Sequence, residues 1–87
     1  MTEESVIEFP TEFPIKLMGR NTPEFRVMAR ALIEKHAGTV NDEAVQTASS
    51  SNDRFVSVTV TITATSQQQL DAIHQDATDH ENVLMAL

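Results

Sequence analysis

The sequence predicts an α+β sandwich, a four-stranded antiparallel sheet with two helices on one face. Three observations lead there. The stretch 54–64 places Val56, Val58, Val60, Ile62 and Ala64 on one side of a strand and Phe55, Ser57, Thr59, Thr61 and Thr63 on the other, the period-two pattern of a half-buried strand. Two segments with apolar residues at helical spacing, one starting at Pro23 and one after Ser66, flank it. Shorter alternating segments stand before the first helix, before the long strand and at the end of the chain.

The elements follow in order. Residues 1–8 are expected to form a flexible acidic tail, and residues 9–87 a single domain. Phe9-Pro10 and Phe13-Pro14 mark an extended lead-in, because a residue before proline avoids the helical region. Phe13, Ile15 and Leu17 alternate with Pro14, Lys16 and Met18, which predicts a first strand over residues 12–18 with Pro14 near its start. Gly19-Arg20-Asn21 is expected to be a turn. Thr22-Pro23-Glu24 then supplies an N-cap hydroxyl, a proline in the first turn and a carboxylate at the positive end of the helix dipole. Phe25, Met28, Ala29, Leu32, Ile33 and His36 form the apolar stripe of a helix over 23–37, and Gly38 suits a C-terminal cap.

Glu43 to Ser49 predicts a weaker strand, and Ser50-Ser51-Asn52-Asp53 a hairpin loop into the long strand. That long strand is charge-free after Arg54 and mostly β-branched, so it belongs in the sheet interior, where it cannot template pairing with other chains. Thr65 or Ser66 caps the second helix, whose apolar stripe is Leu70, Ile73, His74 and Ala77. Val83, Met85 and Leu87 alternate with Leu84 and Ala86 in a last strand. The order β-α-β-β-α-β is the ferredoxin-like arrangement. Right-handed crossovers give the strand order 4-1-3-2, with both helices on one face. The other face is then open and carries Lys16, Met18, Ser57, Thr59, Thr61 and Thr63.

Composition narrows the function. The chain of 87 residues is one domain, and a domain of this size buries only about two-thirds of its unfolded surface. The absence of cysteine excludes disulfides, thiolate zinc sites and thiol nucleophiles, and fits a reducing compartment. No apolar run approaches the ~20 residues of a membrane span, and the Met-Thr-Glu-Glu-Ser start is unlike a signal peptide. A cytoplasmic protein without a membrane partner is the expectation. With 13 acidic against 6 basic residues the formal charge is −7, which argues against nucleic acid as a partner. All basic residues precede Phe55, whereas the stretch 55–87 carries Asp71, Asp76, Asp79 and Glu81.

Phe9-Pro10 with Phe13, Lys16-x-Met18-Gly19, Ser50-Ser51, Phe55-x-Ser57-Val58 and the Val83-x-Met85-x-Leu87 ending occur in a characteristic order and spacing. In these the chain resembles the YbeD-like family of small proteins of unknown function, from Phe9 to Leu87. The resemblance implies a ferredoxin-like fold similar to the ACT regulatory domains of metabolic enzymes, and a link to lipoate, since some members carry a lipoate-regulation label. It implies no catalytic residue and no cofactor. The family pattern tends to glycine in the hairpin where this chain has Asp53.

Several constellations invite a functional reading. Asp76 and His80 lie four apart on the second helix, but one carboxylate and one imidazole make an incomplete metal set, so the histidines are read as structural or solvated and no metal is expected. Gly19, Arg20, Asn21 and Thr22 lead into a helix start where free backbone N–H groups can hold a small anion, with Glu24 opposing it. Arg26 and Arg30 make a basic row that is expected to be blunted by cross-helix pairing with Asp71 or Asp76. Lys16, Met18, Thr59, Thr61 and Thr63 on the open face lack the stacking aromatics an RNA-binding sheet needs, but the face suits a protein partner or a second copy. The expected function is a non-enzymatic binding or regulatory module of ACT type, acting through a protein partner, a homodimer or a small anionic ligand. The alternative is a small enzyme of acylphosphatase-like topology, for which the Gly-rich loop and strand-three asparagine are absent.

Overall fold

Residues 8–87 are described by a computed structural model, and the expected tail lies, apart from Glu8, outside them. A cis Phe9–Pro10 bond leads into β1 (Thr11–Arg20), followed by α1 (Pro23–Ala37), a one-turn 3-10 helix (Asp42–Ala44), β2 (Val45–Ser49), β3 (Phe55–Ala64), α2 (Gln67–Asp79) and β4 (Met85–Ala86). The sheet order is β2-β3-β1-β4, the predicted 4-1-3-2 read from the other edge, and all pairings are antiparallel. The ferredoxin-like arrangement is therefore the fold.

The core lies between the sheet and the helices. Ile15 and Leu17 from β1, the alternating Val56 to Ala64 side of β3, Phe25, Ala29, Leu32 and Ile33 from α1, and Leu70, Ile73 and Ala77 from α2 are all buried. The helix stripes meet there because their spacing puts them on one face. Thr22 caps α1 by accepting the Phe25 N–H at 3.0 Å, and Ser66 caps α2 by accepting the Gln69 N–H at 3.1 Å. Gln69 returns the bond one residue further out, accepting the Thr65 N–H at 2.8 Å, and also donates to the C-terminal end of α1, at the His36 carbonyl, 3.1 Å away. Gly38 has φ of 83°, a conformation L side chains avoid, as expected of a helix-ending glycine.

Four local expectations are corrected. Gly19 and Arg20 are not a turn but the last residues of β1, paired with Val56 and Phe55. The reason is packing: a Cβ on Gly19 would clash with the edge of the Phe25 ring and lie 2.7 Å from the Asn82 carbonyl, so the glycine lets helix and strand approach. Glu43 and Ala44 belong to the 3-10 turn, and β2 begins only at Val45. His74 is exposed and does not share the buried stripe of α2. β4 is two residues long rather than five: the Val83 N–H bonds the His80 carbonyl in a turn, and both Val83 and Ala86 pack on the core, which breaks simple alternation.

Asp53, at the position where the family pattern favours glycine, has φ of 59°. It keeps the left-handed conformation that glycine adopts more easily. The hairpin around it is held by Ser50 and Asn52, whose side chains bond the Phe55 and Arg54 N–H groups at 3.2 and 3.1 Å.

Candidate functional site

The register assembles the open face row by row. Ala48, Ser57, Met18 and Met85 are cross-strand neighbours in turn, so an uncharged row crosses all four strands. The next row runs Gln46, Thr59 and Lys16 to Leu87, which exchanges backbone bonds with Lys16 at 2.8 and 3.1 Å. Beyond it lie Thr61 with Pro14 and Thr63 with Glu12. On the other flank the Arg20 guanidinium sits 5.9 Å from the centre of the Phe55 ring, within reach of a cation–π contact. Met18 and the neighbouring Phe55 and Ala48 line a shallow depression beside the hairpin. Met85 and Leu87 are 50% and 65% exposed on the edge strand. The structure thus brings Lys16, Met18, Thr59, Thr61 and Thr63 onto one surface, as the alternation predicts. It adds Ala48, Gln46, Met85 and Leu87, which reasoning from the central strands missed. The Met85-x-Leu87 alternation was the available signal, but only the register fixes which side it faces.

The Gly19–Thr22 segment does not form one loop. Arg20 is on the open face, while Asn21 and Thr22 turn into α1. Asn21 is used internally: its N–H bonds the Arg54 carbonyl at 2.9 Å, its amide donates to the Asp53 carbonyl at 3.1 Å, and its side-chain oxygen accepts from Arg26. Thr22 takes two first-turn N–H groups, Phe25 through its hydroxyl and Arg26 through its carbonyl. An adjoining cleft of 340 Å³ lies between Arg20, Thr22, Phe25 and Met28 on one side and the His80–Asn82 turn and Leu84 on the other, with Glu24 and Glu81 also in its wall.

The charged clusters are engaged locally. Arg30 contacts Glu34 at 3.3 Å, Asp42 at 2.7 Å and the Val40 carbonyl at 2.6 Å, fastening the loop after α1. The Val40 N–H, then Arg30, hold the Glu34 carboxyl below the usual carboxylate range. The cross-helix pairing expected of Arg26 and Arg30 is instead made by Lys35 and His36, 2.8 and 2.9 Å from Asp76. Lys35 foremost, with His36, depresses the Asp76 carboxyl. Asp76 is therefore committed to α1, and His80 Nδ1 accepts the Asn82 N–H at 3.1 Å, so the two do not converge on a ligand. Among the described residues no three His, Asp or Glu side chains gather to hold a metal, and no helix is long and apolar enough to cross a membrane.

Comparison with known proteins places the chain. A family model described as a protein of unknown function (DUF493) matches residues 4–87. The chain belongs to that family. The DUF493 match extends the YbeD-like resemblance over nearly the whole sequence. UPF0250 protein NE1487 of Nitrosomonas europaea is 41% identical over the full length of both chains. A UPF0250 protein of Paraburkholderia phytofirmans is 39% identical over 97% of this chain and 94% of its own. One of Chromobacterium violaceum is 40% identical over 98% and 96%. The solution structure of protein HP0495 from H. pylori superposes with a TM-score of 0.72 over 99% of this chain and 90% of its own, at 16% identity. That likeness concerns the fold alone.

Proposed function

We propose that this member of the DUF493 family is a binding module rather than an enzyme, and that it engages a protein partner through the open face of its sheet. The supporting observation is the uncharged row Ala48, Ser57, Met18 and Met85 across all four strands. Lys16 and Arg20 flank it and give the contact a positive border on an otherwise acidic chain. A surface of this kind, apolar at its centre and charged at its rim, is what protein interfaces use. The role inferred is regulatory, of ACT type, and the lipoate label of related proteins supplies the first pathway in which to look for the partner. The acylphosphatase-like alternative gains no support, since β3 sets Phe55 opposite Arg20 and otherwise presents Ser and Thr, not an amide, on that face.

The test compares bait proteins in cell extract by quantitative mass spectrometry. Met18→Glu should lose a partner that the unaltered chain retains, whereas Thr78→Glu, an equal charge change on the exposed side of α2, should keep it. Equal recovery by both variants would remove the open face from consideration.

A second reading rests on the 340 Å³ cleft beside Arg20: a small anion, lipoate among the candidates, held by Arg20 and the start of α1. Titration should then move the Gly19–Phe25 amides and fail in Arg20→Ala. The first turn has few N–H groups left after Thr22 has taken two, and Glu24 and Glu81 oppose an anion, so the sheet face is the better-supported site.

A further inference from the structure

β3 pairs with all ten residues of β1, but on the other side β4 pairs only with Leu17 and Met18, and the Lys16–Leu87 bonds close that ladder. The backbone from Thr11 to Ile15 is thus an open sheet edge among the described residues. Lys16 turns its N–H and C=O toward β4. By the two-residue period of a strand, Glu12 turns the same groups that way, and Pro14 its carbonyl. Pro14 offers no donor, which leaves the Glu12 N–H and two carbonyls for an incoming strand. Behind this edge, on the helix side, lies a cavity of 230 Å³ walled by Phe13, Ile15, Leu70 and Ile73, with Asp71 and His74 at its mouth.

We propose that this edge and cavity form a docking groove for an extended, basic and apolar segment of another protein, which adds to β1 in line with β4 and places alternate side chains in the cavity. Backbone bonds would supply attachment and the cavity selectivity, the usual division in strand addition. Charge selects the occupant. Glu12 borders the free edge on its open-face side, and Asp71 stands at the cavity mouth, where its carboxylate accepts the Gln67 amide at 3.0 Å; no ion pair among the described residues engages either. From Phe55 to Leu87 the chain has no Lys or Arg. A second copy would bring another chain of charge −7 and another acidic α2 to the same seam. The protein's own first residues carry Glu3 and Glu4. A cationic segment from a different protein is the complementary occupant. The cavity lies on the helix side and the free edge lies away from the Ala48–Met85 row, so this proposal is independent of the open-face one and stands or falls separately.

The experiment titrates the full-length, ¹⁵N-labelled chain with acetylated peptides of about eight residues, a typical strand length, alternating Val with Lys or Val with Glu. The Lys peptide should shift the amides of Glu12, Phe13, Ile15, Asp71 and His74 and slow exchange of the Glu12 N–H. The Glu peptide should leave them still. Glu12→Lys, an exposed change on the side of the edge where alternation turns the peptide's Lys residues, should weaken the Lys peptide several-fold. The proposal is overturned if millimolar Lys peptide moves none of these amides, if both peptides bind alike, or if Glu12→Lys has no effect. It is also overturned if the shifts fall on Met18, Thr59 and Thr61 instead. Concentration-dependent shifts of the same amides without peptide would assign the groove to a second copy. Nuclear Overhauser contacts from residues 2–7 to Phe13 and Leu70 would assign it to the protein's own segment.

Discussion

Val60 and Thr61 are adjacent on β3 and face opposite ways, Val60 fully buried and Thr61 exposed. Val60→Ala should cost about 2 kcal/mol through lost burial and a cavity, while Thr61→Ala should cost far less. Equal costs in chemical denaturation would contradict the face assignment. Gly19→Ala should cost about 1–3 kcal/mol, as overpacking does, because the Asn82 carbonyl is backbone and cannot swing away. Asp53→Gly should do the opposite: a left-handed φ costs an L residue roughly 1–2 kcal/mol, and less for Asp, so the variant should melt slightly higher. The faces of β3 were readable from alternation alone. The role of Gly19 was not, since a glycine before Arg20-Asn21 looks like a turn until the Phe25 ring is seen against it.

Among the elements, α1 and α2 were readable to within a residue or two because their caps are chemical signals: Thr22-Pro23 and Ser66 with Gln69. β2 and β4 were less so. Short edge strands owe their limits to partners rather than to their own residues, and β4 stops where the His80–Val83 turn lets it stop. The Arg26 and Arg30 row was misassigned for a similar reason, because the geometry of a loop, not charge sign, decides that Arg30 reaches Val40 and Asp42 rather than α2. The link between helices is Asp76 with Lys35 and His36. Its carboxyl is depressed below the ordinary 3.8. A depressed folded-state value means that its contribution is present above the unfolded value and is lost as pH falls through the folded one. Asp76→Asn should therefore melt below the unaltered protein at neutral pH, and the gap should shrink progressively only as pH falls below about 4. A gap that persists unchanged at strongly acid pH would mean that the carboxylate's charge is not what joins the helices.

At the scale of the whole molecule, the chain divides its character by side. The helix layer is acidic along α2, while the sheet presents an uncharged row with Lys16 and Arg20 beside it. Element order and the charge-free third strand made the topology legible, and with it the central part of the open face. The complete row was not legible, because Ala48 and Met85 join it only through the register of edge strands. The four methionines offer a direct probe, since Met18 and Met85 lie on the open face, Met28 borders the cleft and Met1 lies outside the described residues. The decisive measurement is a methyl spectrum of ¹³C-methionine-labelled protein titrated with the partner fraction recovered from extract. Joint loss or shift of the Met18 and Met85 signals, with Met28 unchanged, is the result expected if the open sheet face is the binding surface. Movement of Met28 alone, with Met18 and Met85 still, would contradict it.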